Sequence, residues 1–235
     1  MISYVIDYWK EFYLTKNTQK EVGINKQRNY ALRIAKFWLG EKQTMPKQAK
    51  TLTQQNLKQV LDYVAVHKHA LRNRTMLLCT HYAGMRVGEV ANLRYEDVMD
   101  ATGAIRDEIA LTPEQTKGRH ARTVFVNAKL RRELETYVRN HKPANPTNSL
   151  FYTQKRATTG FTPNTLAQYF HYLYKRAGIA GGSSHSGRRT FITNLAAKGV
   201  GVRVLMSLAG HRNIGTTQAY IDVNDDMKRR AVELV

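Results

Sequence analysis

SSHSGRRTFITNLAAKGVGVRVLMSLAGHRNIGTTQAY, residues 183–220, is the stretch that decides how the rest of the chain is read. Just ahead of it Gly181-Gly182 reads as a loop, and Ser183 or Ser184 suits the N-cap of a following helix. The apolar spacing predicts that helix over about 187–198, halted at Gly199, with Phe191, Ile192 and Leu195 on its buried face. His185 and Arg188 then stand at its N-terminal end, three residues apart on one side. Free backbone N–H groups and the positive end of the helix dipole favour an anion at such a place, and arginine clamps phosphate through two parallel N–H bonds. A second short helix over 202–208 runs into Ala209-Gly210-His211, and Thr216-Thr217 reads as a cap ahead of Tyr220.

Working outward, the 235-residue chain carries 37 Lys+Arg against 18 Asp+Glu, a net charge of +19. With 42% hydrophobic residues it has material for a folded core, so the charge is not that of a disordered basic tail. An excess spread along the whole sequence points to a polyanion, nucleic acid before an anionic membrane surface. The one cysteine, Cys79, lies in the apolar run Met76-Leu77-Leu78-Cys79 and reads as a small buried hydrophobe. Absence of a second cysteine excludes an intrachain disulfide and a zinc knuckle and suits a reducing cytoplasm. The start, MISYVIDYWKEF, is interrupted by Asp7, Lys10 and Glu11 and does not read as a signal peptide. No apolar run is long enough to cross a bilayer.

Residues 2–14 and 26–39 read as amphipathic helices, and 41–50, with Pro46 and lysines, as a linker. The composition changes there, which divides the chain into a short helical N-terminal arm, 1–50, and a larger domain, 51–235. Within the latter, helices are expected over 52–66, opened and capped by Leu52-Thr53-Gln54-Gln55, and over 70–82, 86–93, 128–140 and 163–177. Strands are expected at 95–99, 108–112 and 122–126, forming a small antiparallel sheet, with 113–120 as a hairpin loop. The fold class is therefore mainly α with a small antiparallel sheet, and a further capped helix follows Asn224.

Taken singly, Arg86 is an exposed arginine paired with Glu89, Lys117 a solvated hairpin tip, and Tyr220 one of 13 tyrosines. Their order changes that reading. Gly84-Met85-Arg86-Val87-Gly88-Glu89, Thr116-Lys117-Gly118, His185-Ser186-Gly187-Arg188 and Leu208-Ala209-Gly210-His211, with Tyr220 following, resemble the motifs of the tyrosine recombinases, the phage integrase family. The resemblance covers 51–235 and implies that family's catalytic domain behind a reduced arm. Gly187 departs from it, since leucine is common there, and implies looser packing.

The resemblance implies DNA strand breakage and rejoining through a 3′-phosphotyrosine. Tyr220 is the expected nucleophile, a phenol of pKa ~10 made competent by a cationic pocket. Arg86 and Arg188 are expected on the non-bridging oxygens, Lys117 as the acid for the 5′-oxygen, His185 as a proton shuttle and His211 as a phosphate or pocket ligand. Glu89 is expected behind them, orienting Arg86 or another basic group. No cofactor and no metal are expected: the sequence has no phosphate-binding Gly-x-x-x-x-Gly-Lys loop, and Asp222, Asp225 and Asp226 read as the surface of a terminal helix. Arg119, Arg122, Arg156, Lys175, Arg176, Arg189 and Arg212 are expected to contact the backbone of double-stranded DNA. The helix at 162–176 offers Asn164, Thr165, Gln168 and Tyr169 to a groove, although Leu166, Phe170 and Leu173 claim one face for the core. The resemblance also implies a homotetramer on paired sites, a C-terminal helix packed at home or on a neighbour, and accessory DNA-bending or directionality proteins. Two other readings keep the same fold: a DNA-binding regulator without strand exchange, and a type IB-like topoisomerase that relaxes DNA without choosing a site.

Overall fold

Helix α2, Ala70–Tyr82, is the element about which the described fold is assembled: Met76, Leu77, Leu78 and Cys79, a full turn, are all 0% exposed. The computed structural model describes residues 48–153, 156–221 and 225–233, so the arm helices expected at 2–14 and 26–39 lie outside the described residues. A turn apolar on every side belongs inside a layer of other helices, and α2 is packed by α1 (Gln54–Ala65), α5 (Ala128–Asn140) and α7 (Ser186–Ala197). Burial pushes the Cys79 thiol up to about 12, as befits an inert core residue. Helix α1 starts where Thr53 accepts the Asn56 amide at 3.1 Å while Asn56 accepts the Thr53 amide at 3.4 Å. Asn127 caps α5 by accepting the Leu130 amide at 2.9 Å, and Thr162 caps α6 (Pro163–Arg176) with proline in the first turn.

The expected strand at 95–99 is instead a helical turn. After α3 (Val87–Ala91), residues Tyr95–Val98 form α4, because Asp97 accepts the Arg94 amide at 2.7 Å and so caps the turn. Tyr95 and Val98, three apart, are buried together, which helical spacing achieves and strand alternation does not. Strands β1 (Glu108–Leu111) and β2 (Arg122–Phe125) pair antiparallel, with Ile109 opposite Val124 and Leu111 opposite Arg122. Their connection holds a single 3₁₀ turn at Pro113–Gln115. A second two-stranded antiparallel sheet, β3 (Tyr152–Thr153) with β4 (Arg156–Gly160), was not expected; its strands are short and polar and carry no alternation to read. Helices α8 (Val202–Ala209), α9 (Ile214–Gln218) and α10 (Asp225–Val232) complete the chain. Thr216 and Thr217 lie inside α9 rather than capping anything: Asn213 is the cap, accepting the Gly215 amide at 2.7 Å. No helix among the described residues is long and apolar enough to cross a membrane.

The join between α2 and α7 overturns one expectation. A Cβ at Gly187 would stand 2.1 Å from Thr80 Oγ1 and 2.9 Å from Thr80 Cβ, so the glycine lets the two helices approach closely and tightens the packing. Gly84, at φ +62°, turns the chain out of α2 beneath Phe191, whose ring would lie 2.4 Å from an added Cβ. Leu52 N–H donates to Thr190 Oγ1 at 2.8 Å, tying the approach to α1 onto the same helix. Overpacking at such a contact costs about 1–3 kcal/mol. Gly187→Leu is therefore expected to lower the unfolding free energy by at least that much in urea melts, and an unchanged midpoint would refute the close-approach account.

Candidate active site

The carbonyl end of α8 is where the site begins. Gly210 closes that helix at φ +59°, a left-handed cap that only glycine adopts freely. Its amide donates to Ser207 O at 2.9 Å and the His211 amide to Met206 O at 3.0 Å, which satisfies two of the carbonyls a helix end leaves open. The next three carbonyls are each taken by a different arginine. Arg122 Nη1 donates to Leu208 O at 2.8 Å, Arg188 Nη2 to Ala209 O, and Arg86 Nη2 to Gly210 O at 3.0 Å. Cations at the negative end of a helix dipole are favoured there, and these three arrive from β2, α7 and the start of α3.

Behind them sits Glu89, 1% exposed. It accepts the Arg86 amide at 2.8 Å and Arg86 Nη1 at 2.9 Å, and it also accepts Arg122 Nε at 3.1 Å and Nη2 at 2.7 Å. Burial would raise its pKa. The hydrogen bonds and charge of Arg122, then the Arg86 amide and charge, more than reverse this and hold the carboxyl below its ordinary value. Arg188 is 4% exposed and donates to Gly84 O at 2.7 Å as well as to Ala209. Burial, then repulsion from Arg86, pushes it down to about 9, which leaves it ionised at neutral pH.

His211 follows the glycine cap directly. Its Nδ1 shares a 2.9 Å hydrogen bond with the hydroxyl of Thr217, a fully buried residue. The Tyr220 ring stacks on that imidazole with centroids 5.7 Å apart and planes at 24°, and Arg189 Cζ lies 5.2 Å from the tyrosine centroid. Arg189 also donates to Thr51 Oγ1 at 3.2 Å. His185 occupies the N-cap position of α7; no serine hydroxyl caps the helix, and Ser183 Oγ accepts the His185 amide at 3.3 Å instead. His185 is exposed overall, yet partial burial of its ring lowers its pKa, and the charges of Arg188, Lys117 and Arg86, in that order, add to the lowering. Lys117 is exposed at the β1–β2 loop. The foot of that loop is fastened by Gln115, whose Nε2 donates to Asp97 Oδ2 at 2.6 Å and to Asn92 O at 3.2 Å. Arg86 and Arg188 thus meet at the end of α8 beside the His211–Tyr220 pair, with Glu89 behind Arg86, and the charges of Arg188, Lys117 and Arg86 all reach His185.

The cations expected along the DNA fare differently. Arg119, Lys175, Arg176 and Arg212 are exposed, and Arg189 is half-buried against Tyr220. The side chain of Arg156 lies outside the described residues. Arg122 is not a surface cation: its side chain is 9% exposed and every one of its nitrogens is committed inside the protein. Strand parity was the signal that could have found this, since Arg122 shares a face with Val124 and Val126, both buried. Thr217 and its bond to His211 also escaped the sequence reading. Among the described residues no three His, Cys, Asp or Glu side chains are grouped to hold a metal ion. Asp222 and the side chains of Asp225 and Asp226 lie outside the described residues.

Residues 50–227, from the approach to α1 through Tyr220 and beyond, match the family model described as the phage integrase family. The chain belongs to the phage integrase family. Among curated relatives, a tyrosine recombinase XerA of Pyrococcus furiosus is 29% identical over 191 residues, covering 81% of this chain and 62% of the relative. The chain thus spans about three fifths of the length of that relative and of a second XerA, from Pyrococcus horikoshii, of which it covers 60%. Among solved structures, a crystal structure of XerA recombinase superposes with a TM-score of 0.62 at 22% identity, covering 98% of this chain and 89% of that one. The Tn1549 transposon integrase in complex with transposon right-end DNA gives 0.62 at 21% identity, over 82% of this chain and 67% of that one. Both likenesses place this integrase-family chain in a shared fold.

The cationic pocket has a titration signature. Burial, followed by repulsion from Arg188, Arg86 and Arg122, pushes His211 from 6.5 down to about 4, so the ring is neutral at pH 7. Because the folded value is the lower one, protonation opposes folding, and stability is lost as pH falls from 6.5 toward 4. Imidazole NMR is expected to show His211 titrating near pH 4, and Arg86→Ala is expected to raise that value by removing a like charge. An inflexion near 6.5 in the unmodified protein would contradict the arrangement.

Proposed function

We propose that this chain is a site-specific DNA recombinase that cuts and rejoins strands through a covalent 3′-phosphotyrosine. The observation that carries the reading is the convergence of Arg86 and Arg188 on the end of α8, beside the stacked pair His211–Tyr220. Two arginines held by main-chain carbonyls keep N–H groups for a further acceptor, since each guanidinium has five. A scissile phosphate in the cleft accepts those bonds on its non-bridging oxygens, where negative charge grows as the phosphorus becomes five-coordinate.

The Tyr220 oxygen attacks phosphorus, forming the P–O(tyrosine) bond, and the P–O5′ bond breaks. His185, neutral because its surroundings depress its pKa, accepts the phenolic proton. Lys117, an ammonium donor on a short loop, delivers a proton to the departing 5′-oxygen. His211, also neutral, donates a hydrogen bond to a phosphate oxygen while Thr217 fixes its ring. The ester conserves the energy of the broken bond, so rejoining to a second 5′-hydroxyl proceeds without a nucleotide cofactor. Glu89 orients the Arg86 guanidinium.

Double-stranded DNA is the proposed partner, bound through phosphate contacts from the exposed cations Arg119, Lys175, Arg176 and Arg212, consistent with the net charge of +19. Four copies on two paired sites form the proposed working assembly, in the cytoplasm. The fold likeness to an integrase in complex with transposon DNA supports this partner class.

Covalent trapping tests the reaction. Protein incubated in EDTA with supercoiled plasmid and sheared genomic fragments, then quenched in SDS, is expected to yield a protein–DNA adduct through a 3′-phosphate. Tyr220→Phe is expected to bind equally and form none; an adduct that survives this substitution assigns the nucleophile elsewhere. Affinity for duplex DNA is expected to fall with salt at a log–log slope of about −4 or steeper, equivalent to roughly five neutralised phosphates.

A further inference from the structure

Arg122 is spent entirely within the protein. Its Nε and Nη2 grip the two oxygens of Glu89 at 3.1 and 2.7 Å, and its Nη1 caps Leu208 O at 2.8 Å. A guanidinium so engaged, with a side chain 9% exposed, has no face to offer DNA. It sits between two supports of the proposed reaction, Glu89 and the α8 cap. Glu89 carries the Arg86 guanidinium on its other side. Gly210 lies so close that an added Cβ would be 2.6 Å from Arg122 Cδ, so the arginine stem sets the height of the turn that leads straight into His211.

The charge balance gives Arg122 a second task. Arg86 on α3, Arg122 on β2 and Arg188 on α7 all act on the Glu89 carboxylate. With Arg122 matched to Glu89, the charges of Arg86 and Arg188 remain for an incoming phosphate. Without it, Arg86 would be the one guanidinium bonded to Glu89, whose Oε1 already accepts Arg86 Nη1 at 2.9 Å, and the carboxylate would cancel the cation that the phosphate needs. A lysine at 122 would return the charge but not the fork, because one ammonium cannot span two carboxylate oxygens and a carbonyl in fixed directions.

We propose that Arg122 is a positioning residue for strand cleavage, holding Glu89 and the α8 cap so that Arg86 and His211 meet the scissile phosphate charged and aligned. This rests on the recombinase reading above, and the test keeps the two apart.

Wild type, Arg122→Met and Arg122→Lys are compared by carboxyl NMR of Glu89 without DNA, by trapping on the same plasmid and genomic fragments, and by salt-dependent binding to duplex DNA. In Arg122→Met the Glu89 carboxyl is expected to titrate at higher pH than in wild type, because burial then acts with one partner fewer. Its adduct formation is expected to be at least tenfold slower, and slower still as pH falls through the raised value, with affinity and salt slope unchanged. Arg122→Lys is expected to recover part of the rate wherever Glu89 is ionised. A salt slope reduced by about one unit marks a phosphate contact and overturns the proposal. Adduct formation at the wild-type rate with unchanged Glu89 titration in both variants also overturns it. Failure of wild type itself to form an adduct removes the recombinase reading, and the Glu89 titration then still decides whether Arg122 neutralises that carboxylate. A misfolded Arg122→Met would show in its near-ultraviolet circular dichroism, leaving Arg122→Lys to decide.

Discussion

Three guanidinium groups cannot share a buried space unless something holds them, because like charges out of water repel strongly and lose hydration. Here the restraint is the carbonyl end of α8 together with Glu89. Main-chain oxygens of Leu208, Ala209 and Gly210 take one arginine each, and the carboxylate joins two of the three. Burial first, and then repulsion from neighbouring arginines, depresses Arg188 and both histidines, so the pocket keeps positive charge that the protein does not itself neutralise. A phosphate diester is the kind of group that relieves such an excess. On the recombinase reading proposed above, a scissile phosphate would relieve that repulsion, and more so as charge builds toward the transition state.

That arrangement depends on the helix layer beneath it. Arg188 reaches Gly84 O only because α7 lies hard against α2, and Gly187 against Thr80 sets that distance. Arg86 leaves the chain two residues after the left-handed turn at Gly84, so the end of α2 also aims the first arginine. The apolar turn Met76–Cys79 therefore matters to chemistry as a rigid floor: core packing fixes the helices, and the helices fix where each cation points.

Much of this was legible from the residues alone. The apolar spacing located α2 and α5 at their observed bounds, and of the residues whose order carried the family resemblance, Arg86, Arg188, His211 and Tyr220 meet at the end of α8. The misreadings have physical causes. Tyr95 and Val98 are β-formers, yet the Asp97 carboxylate caps the Arg94 amide three residues back and makes the segment helical, a local contact that strand propensity does not weigh. Strands β3 and β4 are too short and polar to produce a period. Arg122 was read by its charge, which suits a surface, when its place in the alternation of β2 already put it beside Val124. Gly187 was judged by the side chain it lacks rather than by the neighbour that needs the space.

The acceptors that hold the arginines belong to the peptide backbone. Their spacing is that of successive residues in a helix cap, so it does not depend on which side chains occupy 208 and 209. A substitution at 208 or 209 that keeps the packing therefore leaves the acceptors in place, whereas one at Gly210 or at any of the three arginines removes a member of the pocket. A lineage can remodel the surface of α8 without disturbing the geometry of its charged pocket.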